Sequence, residues 1–135
     1  MSLNYPVRKI PEELPENAIT QRIIKCAIEV HKQLGPGLLE TIYENALAVE
    51  LELEGLSYKQ QLAIPVIYKG KSLGDYRLDL LVNELVIVEI KSVERFDPVF
   101  EAQVLTYLRL TKKRVGLLIN FNTKLVKDGI KRFIL

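Results

Sequence analysis

One cysteine, one histidine and no long apolar run set the first limits on this 135-residue chain. A lone Cys26 allows no intrachain disulfide, which makes a reducing cytoplasm the expected setting. No segment approaches the roughly 20 apolar residues that cross a bilayer. The start, Met1-Ser2-Leu3-Asn4-Tyr5-Pro6, has no apolar core of a signal peptide. Internal repeats and low-complexity tracts are lacking too. A single domain is therefore expected over residues 17–135, preceded by an extended arm over residues 1–16 that holds three of the six prolines. An excess of one charge is also missing. A net charge of +2 and a pI of about 8.6 permit contact with nucleic acid without marking a dedicated electrostatic binder. The basic residues Lys112, Lys113, Arg114, Lys124, Lys127, Lys131 and Arg132 crowd the C-terminal third and read as solvated surface.

What is present is the material of a globular core, with 48% hydrophobic and 27% charged residues. Ile19, Ile23, Ala27, Val30 and Leu34 recur at helical spacing, so a helix is predicted from a cap at Asn17 to Leu34, where Gly35-Pro36-Gly37 stops it. A second helix is predicted from Leu38 to Glu54. Leu39, Ile42, Ala46, Val49 and Leu53 would form its buried stripe, widened by Leu47 and Leu51. Glu44, Glu50, Glu52 and Glu54 would face solvent, although Glu44 also lies one turn beyond Glu40. Gly55 would end it.

From Tyr58 the period becomes that of strands. Leu62–Tyr68 contains Pro65, which suits an edge strand or a bulge. The chain turns at Lys69-Gly70-Lys71, returns to Val82, turns again and runs from Leu85 to Lys91, giving an antiparallel meander. Asp97-Pro98 reads as a cap and first turn of a helix reaching Leu110, with Val99, Ala102, Leu105 and Leu108 inward. Val115–Phe121 is nearly continuously apolar, as expected of a strand covered on both faces, and Ile130–Leu135 can add a last strand.

The informative conflict lies in Tyr76–Lys91. Two apolar strands there carry Asp79, Glu89 and Lys91, and an ionised group in such a strand is costly unless it pairs or holds a metal. Alternation puts Glu89 and Lys91 on one side. Asp79 joins them only if the strands pair with an even residue sum, which needs an odd loop at Asn83-Glu84-Leu85 or a bulge; a two-residue Asn83-Glu84 turn would put it opposite. Two carboxylates and an ammonium on one face suit a Mg²⁺ ion completed by water and substrate phosphate. The competing reading of the same residues is a pair of surface salt bridges, Glu89–Lys91 and Asp79–Arg77.

Asp79 followed by Glu89-Ile90-Lys91 resembles the Asp…(Asp/Glu)-x-Lys core of the restriction-endonuclease-like PD-(D/E)xK nuclease superfamily, and the α-β-β-β-α-β order resembles that superfamily's core. Gly37-Leu38-Leu39-Glu40-Thr41-Ile42-Tyr43, with His31 and Leu34-Gly35-Pro36 before it and Glu44-Asn45-Ala46-Leu47 after it, resembles the GxxExxY protein family, a prokaryotic branch of that superfamily. The likeness runs from Ile19 to Leu135. It implies an α+β fold in which two N-terminal helices precede β-β-β-α-β around a mixed sheet. It also implies a nuclease that hydrolyses DNA or RNA with Mg²⁺ or Mn²⁺.

Carried over, Glu40, Asp79 and Glu89 would hold the metal and Lys91 would be the catalytic lysine. Gln103 and Tyr107, one helical turn apart, resemble the Gln-x-x-x-Tyr pair that borders the site and contacts substrate in RecB-type nucleases. Leu78 departs from the pattern, standing where a proline often precedes the aspartate. The alternatives are a catalytically weak or inactive nuclease-like module that binds nucleic acid or protein, and a structural homodimer with an ion-pair network. A domain this small, with no separate recognition module, is expected to hold substrate through a homodimer or a partner. Tyr43 reads as a packing residue with a hydroxyl hydrogen bond, His31 as a hydrogen-bonding residue, Cys26 as core, and Arg77 as pairing with a carboxylate.

Overall fold

The computed structural model describes residues 14–135. Of the arm expected over residues 1–16, residues 1–13 lie outside the described residues, and the last two are already helical, so Leu14 takes the cap position and Asn17, the expected cap, lies inside the first turn. Helix α1 spans Pro15–Leu34 and α2 spans Glu40–Leu53. Strands β1 (Tyr58–Tyr68), β2 (Lys71–Val82) and β3 (Val86–Lys91) follow, then α3 (Pro98–Thr111), β4 (Val115–Asn120), a 3₁₀ turn at Val126–Gly129 and β5 (Ile130–Ile134). One five-stranded sheet runs in the order β1-β2-β3-β4-β5. Only β3 and β4 are parallel, with α3 as their crossover. The result is the α+β fold with a mixed sheet that the sequence predicts.

Two apolar layers sandwich the sheet. On one side Ile19, Ile23, Ala27 and Val30 of α1 and Tyr43, Leu47 and Leu51 of α2 pack on Leu80, Val82, Val86, Val88, Ile90, Leu117 and Ile119. On the other, Val104, Tyr107 and Leu108 of α3 pack on Ile64, Leu78, Leu81, Ile87 and Leu118. Each buried Val, Leu or Ile in these layers stabilises the fold by roughly 1.5–3 kcal/mol. Every residue of β4 is buried; Val115–Ile119 is the apolar run, and Asn120 at its end is held by hydrogen bonds to the Val93 backbone. Pro65 sits in β1, an edge strand, where its missing N–H costs no ladder bond to an outer neighbour. Asp97 caps α3, its carboxylate accepting from Val99 N–H at 2.9 Å.

Two helices roll differently from their predicted faces. The α2 stripe Leu39, Ile42, Val49, Leu53 is exposed, and the buried face is Tyr43, Glu44, Leu47, Ala48, Leu51. Apolar residues lie almost all round this helix, so its period offers two faces. Tyr43 decides between them. Its ring stacks on Phe121 with centroids 4.5 Å apart and planes within 6°. Its hydroxyl donates to the Gly35 carbonyl and accepts from Leu38 N–H. In α3 the inward residues are Val104, Tyr107 and Leu108; Val99 and Ala102 face outward. Gly116 of β4 accounts for this roll: a Cβ there would stand 3.0 Å from Val104 Cγ1, so the bare backbone lets α3 press Val104 onto the strand.

Candidate active site

The register of β2 against β3 decides where the charges go. Leu80 pairs with Val88, Leu81 with Ile87 and Val82 with Val86, an even sum throughout. Asn83 and Glu84 take left-handed φ values of 52° and 58°, and Leu85 N–H donates to Val82 C=O at 3.0 Å. That two-residue turn alone would give the odd register. Leu85 is the extra residue that restores the even one. The left-handed turn is held from outside: Asn83 Oδ1 accepts from the N–H and hydroxyl of Ser57, Asn83 N–H donates to Ser57 C=O, and Glu84 pairs with Lys59 at 2.8 Å.

Beyond Leu80 and Val88 the ladder stops, and the two carboxylates take over the hydrogen bonding. Asp79 N–H donates to Glu89 Oε2 at 2.8 Å, and Ile90 N–H donates to Asp79 Oδ2 at 2.8 Å. Asp79 and Glu89 therefore face each other across the gap between the strands. Glu89 is only 5% exposed. Burial first, and then the Asp79 charge, push its pKa up to about 8. Burial raises Asp79 as well, against the opposing pull of its hydrogen bonds from Ile90 and Gln61 and the Lys91 charge. None of the ion pairs among the described residues involves Asp79, Glu89, Lys91 or Arg77. The salt-bridge reading of this segment is thereby set aside. Arg77 donates to the Gln61 carbonyl at 3.0 Å instead of to a carboxylate.

Lys91, two residues beyond Glu89, lies over the Phe100 ring at 4.5 Å from its centroid. Tyr107 is buried with its ring 5.8 Å from that of Tyr76. Its phenol pKa is raised by burial and then by the Glu89 and Asp79 charges, so it lies in the field of the carboxylate pair. Gln103 lines a cleft of about 180 Å³ together with Tyr76, Val99, Ala102, Thr106 and Tyr107.

Glu40 stands at the exposed start of α2, where its carboxylate accepts from Ser92 N–H at 3.4 Å. It is not among the charges that shift Asp79 or Glu89. Glu44, one turn on, is. It is 7% exposed, its pKa is raised by burial and in part by Asp79, and it adds to the upward shift of Glu89. It therefore faces inward, contrary to the sequence expectation. Gln60 and Gln61 of β1 hold it, donating at 2.9 and 2.8 Å. Gln61 also donates to Asp79 Oδ1 at 3.2 Å, so one amide bridges both carboxylates. The backbone of Gln61 is left-handed, with φ 52°, inside a strand, a conformation costing on the order of 1 kcal/mol. The only sequence signal for Glu44 was its position one turn beyond Glu40; Gln61 left none.

Among the described residues no three His, Cys, Asp or Glu side chains converge into a metal cage. The donor set is two adjoining carboxylates, with a third joined to them through an amide. That suits a hard cation which keeps most of its waters, and it does not suit a fully protein-ligated one.

A family model described as the PD-(D/E)XK nuclease superfamily matches residues 17–133. The chain belongs to the PD-(D/E)XK nuclease superfamily. Among curated proteins and among solved structures, nothing matches the chain. Members of this superfamily generally use divalent metals, and the carboxylate pair fits that habit. No helix among the described residues is long and apolar enough to cross a membrane.

Proposed function

We propose that the chain is a divalent-cation-dependent nuclease of the GxxExxY branch of its superfamily, hydrolysing phosphodiester bonds of DNA or RNA. One observation carries the reading. Asp79 and Glu89 stand against each other with Glu89 buried, and no basic side chain among the described residues is in an ion pair with either. Burial and then the Asp79 charge keep Glu89 protonated up to about pH 8, a state that a bound cation would relieve. Groups kept in so unfavourable an arrangement mark a functional site.

Asp79 and Glu89 would hold Mg²⁺ or Mn²⁺, with Glu44 reaching the cation through water and Glu40, the ligand that the resemblance implies, engaged with Ser92. When bound, the cation would compensate the paired charges and lower the pKa of a water that attacks phosphorus. Lys91 would carry its positive charge to the phosphate in the transition state. Phe100 supports its stem and limits the directions in which the ammonium points. Gln103 and Tyr107, with Tyr76, would border the strand of nucleic acid in the cleft they line, which Tyr107 links to the field of the carboxylates.

The test is cleavage of plasmid, single-stranded oligonucleotide and RNA with Mg²⁺ or Mn²⁺, alongside calorimetric cation titration. Asp79→Asn and Glu89→Gln should each abolish cation binding and cut cleavage by at least about 100-fold without loss of fold. A wild-type chain that binds neither cation and cleaves none of these substrates sinks the reading and leaves a nuclease-like binding module.

A further inference from the structure

Tyr76 reaches the cleft on α3 because β2 runs on past β3, whose ladder with it stops at Leu80. Leu78, two residues on, packs under α3, and alternation sets Tyr76 on that same side. Its ring is 52% exposed, and Tyr107 meets it at a tilt of 53° instead of covering its face. Opposite lie Val99, Ala102 and Thr106, so no charged side chain lines the cleft. Two polar groups of its wall lack a partner. Tyr107 is 6% exposed, yet its phenol hydroxyl makes no hydrogen bond among the described residues. A phenol so buried ordinarily finds one. The side-chain amide of Gln103 makes none either.

This lining selects its occupant. A phosphate would meet no cation here. A neutral aromatic ring with donors and acceptors along its edge matches the open tyrosine face, the small aliphatic wall and the two unpartnered groups. The volume of about 180 Å³ is below the roughly 300–1,000 Å³ of a drug-sized site, so one ring system fits and its stacked neighbours do not.

We infer that the cleft takes one unstacked nucleobase, with Tyr76 as its stacking platform, and that the chain therefore selects unpaired strands. What is then done to the strand rests on the nuclease reading above. In a duplex the neighbouring bases cover both faces of each base and its pairing partner covers the edge, so a duplex could enter only by extruding a nucleotide.

Tyr76→Trp gives a direct readout, because the chain has no tryptophan of its own. In the Lys91→Met background with Mn²⁺, chosen to slow cleavage, a single strand of about 12 nucleotides should quench the indole; its duplex at equal concentration and salt should not. With Tyr76 in place, anisotropy should favour the single strand over the duplex by at least about 10-fold. Tyr76→Leu keeps an apolar side chain but no ring, and should weaken single-strand binding by about 5- to 150-fold, while Tyr76→Phe should bind as Tyr76 does. Neither should alter binding of a sugar–phosphate strand from which the bases have been removed. A chain that binds Mn²⁺ and cleaves nucleic acid, but holds both forms equally or ignores Tyr76→Leu, overturns this inference and leaves the nuclease reading standing. A chain that binds no cation and cleaves nothing, yet shows the quench and the dependence on Tyr76, overturns the nuclease reading and upholds the base site. Equal losses on the strands with and without bases would overturn the platform role.

Discussion

Asp79 offers its backbone N–H to the Glu89 carboxylate at 2.8 Å, so one candidate ligand is positioned by the main chain of the other. With Ile90 N–H donating to Asp79 in return, both side chains have a fixed orientation before any cation arrives. Such preorganisation lowers the ordering cost of binding.

The same arrangement makes the cation-free protein sensitive to alkali. The carboxyl of Glu89 has a reference pKa of 4.5 and a folded value of about 8. Between these values the folded state holds the extra proton. Its stability should fall as pH rises from about 4.5 to about 8, by up to about 1.4 kcal/mol per unit from this group. Thermal melts in chelator across that range check the slope. Glu89→Gln should flatten it and melt higher than wild type at pH 8. A steeper slope in the variant would refute this assignment.

Glu44 and Glu40 make opposite predictions. Glu44 is buried, and its charge is felt by Glu89 while that of Asp79 is felt by Glu44. Glu44→Gln should therefore weaken Mn²⁺ binding by about 10- to 100-fold, the usual cost of removing an outer support of a metal site. Glu40→Gln should change it less than about threefold, because that carboxylate is exposed and engaged with Ser92. Calorimetry on the two variants ranks them directly.

Lys91→Met should separate chemistry from binding. The side chain packs on Phe100 and makes no ion pair with the carboxylates, so methionine can fill the same space. Cation affinity should not fall, because the lost positive charge acts on the same carboxylates, and the melting temperature should stay near wild type, because the attraction between ammonium and ring contributes only about 0.5–1 kcal/mol. Cleavage should fall by about 100-fold or more, as for other groups that stabilise transition-state charge. A parallel fall in cation affinity would reassign Lys91 to positioning.

Gln61 adds a test of the amide bridge. Gln61→Gly relieves the left-handed backbone while removing the donor shared by Glu44 and Asp79. The variant should be no less stable than Gln61→Ala, and both should bind Mn²⁺ about 10-fold more weakly than wild type. Equal cation affinity in wild type and both variants would make the bridge a bystander.

The readability of these residues follows from how far each depends on the rest of the chain. The order of helices and strands along the chain, the cap at Asp97 and the edge position of Pro65 rest on local chemistry and appear in the sequence. Glu89 and Lys91 share a side because alternation is a two-residue rule. The inward turn of Glu44 depends on the roll of α2, which the stacking of Tyr43 on the distant Phe121 sets. Periodicity could not choose between two apolar faces. The role of Gln61 depends on a left-handed φ that the identity of the residue does nothing to announce.

Leu85 touches neither carboxylate by any hydrogen bond, yet its presence governs their meeting. Deleting it would shorten the connection to Asn83-Glu84 and turn Asp79 to the other side of the sheet, with every proposed ligand still in the sequence. In homologues of this chain, a one-residue gap after Glu84 would thus mark loss of the site more surely than many substitutions. An intact Asp…Glu-x-Lys string beside such a gap would be a false positive.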